Sequence, residues 1–206
     1  MRDRIAYIMA FVACVLMIAC EDDDVHYPAY VTDLIEAYTN SDGMVSNIRL
    51  DNGRTFRVSQ SIKANAADST LRCLSTYVEN GEDVRLYSIT HIFSAHPVKW
   101  TEVKERHDDP VKFVSAWRSD RYVNLRIGVM TTKQSGHSFA FCEDSVTTDH
   151  DGKTKAYITL LHRQPDDDAE SFTEEHFLSI PRAHYEECDS FVVSMTTYDG
   201  KITIVK

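Results

Sequence analysis

The feature that most constrains the fold is a hydropathy period of two that begins near residue 30 and is cut at short intervals by Asn-Gly and Asp-Gly pairs. Successive side chains of a strand point to opposite faces, so this alternation marks half-buried strands. Met44, Ser46, Ile48 and Leu50 alternate with Val45, Asn47 and Arg49, and Asn52-Gly53 then turns the chain into a run at 55–58. A two-residue hairpin turn needs positive φ at its centre, which Asn and Gly accept most readily. The arrangement recurs at 71–78 and 84–93 around Asn80-Gly81, and a run at 30–39 precedes the Ser41-Asp42-Gly43 turn. Five short strands in about seventy residues predict a small closed barrel of the OB type over 27–97, since an open sheet of that size would leave its edges unpaired.

Between 94 and 110 the alternation fails, and Pro97, the charged stretch 102–106 and Asp108-Asp109-Pro110 stand together. These residues place a linker at 98–110. Beyond it, alternation resumes at 113–117, 123–129, 139–142, 156–162, 177–180, 191–195 and 202–205, with Asp151-Gly152 and Asp199-Gly200 as turns. Seven strands in about a hundred residues predict a β-sandwich over 111–206, which makes the chain all-β with two domains. Segments 173–176 and 181–187 are read as the only places for a turn or two of helix.

Before residue 27 the chain carries an address. Arg2 and Arg4 form a positive start, and 5–18 is an uncharged apolar run of fourteen residues. That length suits a secretory signal and falls short of the 18 or more residues of a membrane-spanning helix. Met17-Ile18-Ala19-Cys20 is similar to the lipobox of bacterial lipoproteins, in which cleavage exposes a cysteine that takes diacylglycerol on its sulfur. Residues 1–19 are therefore read as a signal peptide and Cys20 as the lipidation site. Each buried methylene contributes about 0.8 kcal/mol, and two or more acyl chains give stable anchoring. Glu21, Asp22, Asp23 and Asp24 follow at once, making 20–26 a lipidated, self-repelling tether. This run resembles the acidic signal that directs certain outer-membrane lipoproteins to the cell surface. The expected location is the outer membrane, facing outward, with a periplasm-facing anchor as the alternative.

The formal charge is −10; residues 1–19 account for +1 of it, leaving −11 from Cys20 onward. Phosphate binding needs clustered Lys and Arg, so nucleic acid is excluded as a partner. Of the cysteines beyond Cys20, Cys73 lies in the first domain and Cys142 and Cys188 in the second. Cys142 with Cys188 is the only intradomain disulfide available, and buried free thiols are the competing expectation.

No nucleophile elbow, phosphate loop, dinucleotide-binding glycine pattern or His-Glu-x-x-His zinc motif is present, and no catalytic residue, cofactor or metal site is assigned. Glu174-Glu175-His176 are adjacent, whereas helical metal ligation needs i, i+4 spacing, so they are read as a solvated charged segment. His162 ends an apolar strand before Asp166-Asp167-Asp168; it is read as a hydrogen-bonded strand end, and the acidic run as an exposed turn rather than a hard-cation site. Trp117, Tyr122 and Asn124 would suit a sugar-stacking face, but Trp117 is in phase with Phe113 and Ser115, which favours burial in the core.

In order and spacing, several segments resemble the NigD-like lipoproteins: Cys20 with its acidic run, Leu50-Asp51-Asn52-Gly53-Arg54-Thr55, Val114-Ser115-Ala116-Trp117-Arg118, Tyr122-Val123-Asn124-Leu125-Arg126, Leu160-Leu161-His162 and Leu178-Ser179-Ile180-Pro181. The resemblance spans nearly the whole chain and implies a lipoprotein signal, an N-terminal OB domain and a C-terminal β-sandwich. It carries over no catalytic residues. The functional expectation is a non-enzymatic binding or accessory module, anchored to a membrane through Cys20, with a protein or glycan ligand. The alternatives are a hydrolase using carboxylates across the domain cleft, and protection of the producing cell against a secreted bacteriocin, the latter resting on the family name.

Overall fold

The computed structural model describes residues 28–132, 136–165 and 172–206. The expected signal peptide, Cys20, the expected acidic tether and Asp166–Asp168 lie outside the described residues. Among those described, no helix is long and apolar enough to cross a membrane.

Strands β1 (Val31–Thr39), β2 (Val45–Leu50), β3 (Thr55–Gln60), β4 (Thr70–Asn80) and β5 (Asp83–His91) close into a barrel in the order β1-β2-β3-β5-β4. The β3–β5 pairing is parallel and the others are antiparallel. This is the OB-like topology expected from the sequence. Gly53 holds φ +88° in the β2–β3 turn, where the Leu50 N–H donates to the Arg54 carbonyl at 2.8 Å. The inward stripe, including Ile35, Ile48, Phe56, Tyr77 and Leu86, fills the barrel. Tyr77 is fully buried, and its hydroxyl reaches out to Asp33 Oδ2 at 3.0 Å.

One residue, Ile92, separates β5 from β6 (Phe93–Ser94), which already belongs to the second domain. After β6 come β7 (Val98–Lys99), a 3₁₀ turn at Trp100–Glu102, β8 (Lys112–Arg118), β9 (Tyr122–Thr131), β10 (Ser138–Thr148), β11 (Thr154–Arg163), β12 (Phe172–Pro181), β13 (Ser190–Thr197) and β14 (Gly200–Val205). They form a five-stranded sheet, β14-β13-β11-β10-β7, facing a four-stranded sheet, β6-β12-β9-β8. Inward residues of both sheets, among them Leu125, Ile127, Phe141, Ile158, Leu178 and Phe191, make one core.

Four sequence expectations are corrected here. Residues 98–110 do not serve as a free linker: β7 pairs with β10, Asp108 bridges to His162, and the Asp109 N–H donates to the His162 carbonyl at 3.0 Å. The charged side chains broke the hydropathy pattern without breaking backbone pairing. Segment 173–176 is strand, because β12 pairs with β9 along its whole length, and 181–187 holds turns rather than helix. Cys142 and Cys188 are both free. Phe141 and Cys188 lie in the core, so Cys142, next to Phe141 on β10, faces the other side of its sheet and the thiols cannot meet. Trp117 is half-buried outside the core, edge-on to Phe177. A bulge between Phe113 and Ser115 shifts the phase and turns Ala116 inward in its place.

Phe141 is 1% exposed and packs 5.5 Å from Phe93, centroid to centroid. Phe141→Ala is expected to cost about 3–5 kcal/mol in urea unfolding, whereas Val205→Ala, at a site 62% exposed, stays within about 0.5 kcal/mol.

Candidate functional site: the cleft between barrel and sandwich

Strand alternation dictates what each domain shows the other. On β9, Val123, Leu125 and Ile127 enter the core, so Tyr122 and Asn124 face outward; on β12, Leu178 and Ile180 turn in and Ser179 out. On the barrel, Ile35, Ala37 and Cys73 are interior, leaving Glu36, Tyr38 and Arg72 on the outer surface. The two outward polar stripes meet.

Arg72, 4% exposed, is at the centre. Its Nη2 donates to Asp51 Oδ2 at 2.8 Å and to Asn124 Oδ1 at 3.0 Å, and its Nε donates to Ser179 Oγ at 3.2 Å. Nη1 lies 2.7 Å from Asp51 Oδ1, at an angle outside hydrogen-bond geometry, so that contact is an ion pair. The guanidinium stacks 4.0 Å above the Tyr122 ring. Asn124 completes the network by donating to Asp51 Oδ2 at 3.0 Å and accepting from the Ser179 hydroxyl at 2.7 Å.

Tyr122 joins this cluster to a second one. Its hydroxyl donates to Glu36 Oε1 at 2.9 Å, the Tyr38 hydroxyl donates to Oε2 at 2.7 Å, and Arg121 Nη1 lies 3.0 and 3.2 Å from the two oxygens. Burial pushes the Glu36 pKa up, yet the donors from Tyr38, Tyr122 and Arg121 together outweigh it, and the carboxyl is held below its ordinary value. Burial and the Glu36 charge raise the Tyr122 phenol. Arg49 pairs with Asp120 at 2.7 Å, and Arg182 Nη1 donates to the carbonyls of Ser119 and Asp120.

Beside these contacts opens a cleft of about 840 Å³, lined from both domains by Glu36, Arg49, His96, Arg121, Tyr122 and Arg182. The His96 and His184 rings stack at its rim, with centroids 4.3 Å apart. A smaller pocket of about 310 Å³ in the barrel is lined by Ala64, Leu71, Cys73 and Ile89. Burial pushes the Cys73 thiol up to about 11, which keeps it protonated and a poor nucleophile.

Of the residues singled out in the sequence, Tyr122 and Asn124 are brought to the interface, and Trp117, paired with Asn124 across β8 and β9, lines a second pocket there of about 320 Å³ with Asp33, Leu34, Leu50, Asp51 and Asn52. His162 is the hydrogen-bonded strand end expected, with Nδ1 3.1 Å from the Asp109 carbonyl. His176 departs from the solvated segment expected of it: it is half-buried, and its Nε2 is buried. Among the described residues no group of three or more His, Cys, Asp or Glu is placed to hold a metal. Sequence reasoning missed Glu36, Asp51 and Arg72. The only available signal was a charged residue inside each strand or turn, which looks the same whether it faces solvent or another domain.

An OB-like barrel seated on the outer face of a β-sandwich, with a polar cleft between them, defines a two-domain all-β class. Residues 94–203, more than half of the chain, match the NigD-like C-terminal beta sandwich domain. The chain belongs to the NigD-like family. No curated protein matches it. Among solved structures it is similar to a NigD-like immunity protein from Bacteroides caccae, with TM-score 0.67, 22% identity, and 88% of this chain and 93% of that chain covered. It is also similar to a protein described as toxin-related from Parabacteroides distasonis, with TM-score 0.67, 15% identity and 86% and 92% covered. A candidate lipoprotein from Bacteroides fragilis gives TM-score 0.65 at 12% identity, with 87% and 96% covered. Coverage this wide takes in the barrel as well as the sandwich. At these identities the likeness is one of fold.

Removing one partner of a buried ion pair costs about 3–5 kcal/mol. Arg72→Ala is expected to approach that cost in urea unfolding, and the Arg72→Ala/Asp51→Ala double variant to lose less than the sum of its singles; additive losses would contradict the coupling. Glu36 ionises more readily folded than unfolded. It therefore adds stability that is present above the ordinary glutamate pKa of about 4.3 and lost as pH falls through the folded value. Glu36→Gln is expected to flatten the acid limb of Tm against pH.

Proposed function

We propose that this protein is a lipid-anchored, extracytoplasmic binding module that takes a protein or glycan ligand in the cleft between barrel and sandwich. One observation carries the reading: the cleft of about 840 Å³ is built from both domains at once. Glu36 is engaged by Arg121, Tyr38 and Tyr122, and Asp120 by Arg49. A carboxylate held ionised by such donors positions its neighbours and is ill suited to donating a proton, which favours binding over hydrolysis. The same groups leave outward-facing guanidinium donors on the cleft wall, with Arg121 half exposed. The anchor is lipid on Cys20, and Glu21–Asp24 direct the domains to the cell surface.

A second reading, protection of the producing cell against a secreted bacteriocin, is favoured by the name of the Bacteroides caccae relative, an immunity protein. It uses the same cleft, with the toxin as ligand.

Ala183 lines the cleft and is exposed, so Ala183→Trp obstructs the cleft at a position outside the Arg72 network. Wild type is expected to capture a ligand from surface extracts or a glycan array, and Ala183→Trp to lose it; equal capture would place the ligand elsewhere. Cells given labelled palmitate are expected to label wild type and not Cys20→Ala, and protease added to intact cells to remove the domains. Label that persists in the variant would refute the anchor, and protection in intact cells, with antibody access also denied, would place the domains in the periplasm.

A further inference from the structure

Where β10 begins, three histidines face the space between the sheets. His137 and Phe139 lead into β10 in phase with the core residue Phe141, His162 follows Leu160 on β11, and His176 precedes Leu178 on β12. The His162 ring lies flat against Phe139 at 5.1 Å and parallel to His137 at 5.2 Å; His176 tilts over Phe139 at 5.4 Å and His137 at 6.3 Å. We propose that His137, His162 and His176 form an acid-sensitive latch, which closes this end of the sandwich when neutral and loosens it when protonated.

Hydrogen-bond chemistry fixes the closed state. A carbonyl only accepts, so His162 Nδ1, 3.1 Å from the Asp109 carbonyl, carries the proton and donates. Neutral His162 then has a bare Nε2, which accepts from His137 Nδ1–H at 2.9 Å. A second proton on His162 sets N–H against N–H at that distance unless His137 moves its own proton to Nε2 and accepts, so protonation breaks or reverses this contact. His176 Nε2 is buried with no hydrogen-bond partner among the described residues, so its protonation would bury a charge.

Among the described residues, Asp109 and Glu174 favour the protonated rings and burial opposes them. From the segment ahead of β8, the His107 carbonyl accepts the His162 backbone N–H at 3.1 Å, and the Asp109 carboxylate accepts the Gln164 N–H at 2.8 Å. From β12, Glu174 Oε2 stands 3.9 Å from His176 Nε2. Arg163, at the end of β11, turns to Glu105, 3.7 Å away. Burial, ahead of the neighbouring charges, pulls the pKa of His162 and of His176 below the ordinary value. The folded chain thus holds fewer of these protons than the unfolded one. Stability from the cluster is complete above the ordinary histidine pKa of about 6.5 and falls as pH drops below it toward the folded values. What loosens first is the strap at 107–111, since the Asp108 bridge and the Asp109 and His107 hydrogen bonds all end on His162.

The test is histidine ring-proton NMR of the intact protein against pH, paired with Tm at pH 7 and pH 5 for wild type, His162→Gln and His176→Leu. His162 and His176 are expected to titrate below about 6.5, and the downward Tm shift on acidification to be larger in wild type than in either variant. Titration of both rings at or above the ordinary value would overturn the proposal, as would equal Tm shifts in all three proteins. The NMR titration needs only wild type, so it decides the matter even where a variant fails to fold.

Discussion

A guanidinium almost wholly removed from water holds the two domains in register. Burying a charge costs several kcal/mol unless its partners and geometry compensate, and Arg72 has acceptors from both sides: Asp51 from its own domain, Asn124 and Ser179 from the other. Swapping such a pair for apolar residues is often neutral for stability, so the value of this one is orientational. The planar fork of arginine accepts few arrangements, so its contacts to Asp51, Asn124 and Ser179 restrict how barrel and sandwich sit together. Ile92 acts in the same direction, since a single residue between β5 and β6 allows almost no slack. The shape of the cleft follows from these two constraints.

Tyr122 shows how little separates architecture from site. Its ring supports Arg72 and its hydroxyl grips Glu36, so the residue that seals the domain interface also forms the inner wall of the cleft. A ligand touching Arg121 or Tyr122 would meet groups already ordered by the fold, and would lose less conformational entropy on binding than a flexible surface would demand.

Most of the fold was legible from residues alone, because strand alternation and Asn-Gly turns are local signals: all twelve strands expected appear as β1–β5 and β8–β14. β6 and β7, two residues each, are too short to show a period. A bulge on β8 defeated the phase argument for Trp117, as any inserted residue must, because it flips every later side chain. The site was far less legible. Arg72 and Arg57 both sit in alternating strands, yet one is buried and the other's side chain is 74% exposed. What distinguishes them is a contact more than a hundred residues away, between Arg72 and Ser179, and no local pattern records it. His162 and His176 were hidden differently, since a histidine at a strand position looks polar whichever face it takes.

The central claim is that barrel and sandwich form one body with a fixed cleft. Its most direct test is the distance distribution between spin labels at Glu82, in the exposed β4–β5 turn, and Asp151, in the exposed β10–β11 turn, measured by pulsed electron resonance in wild type and Arg72→Ala. A single narrow distribution in wild type that broadens in the variant is the result predicted. A broad distribution already present in wild type would mean that the domains move independently, and the cleft would not exist as a preformed site.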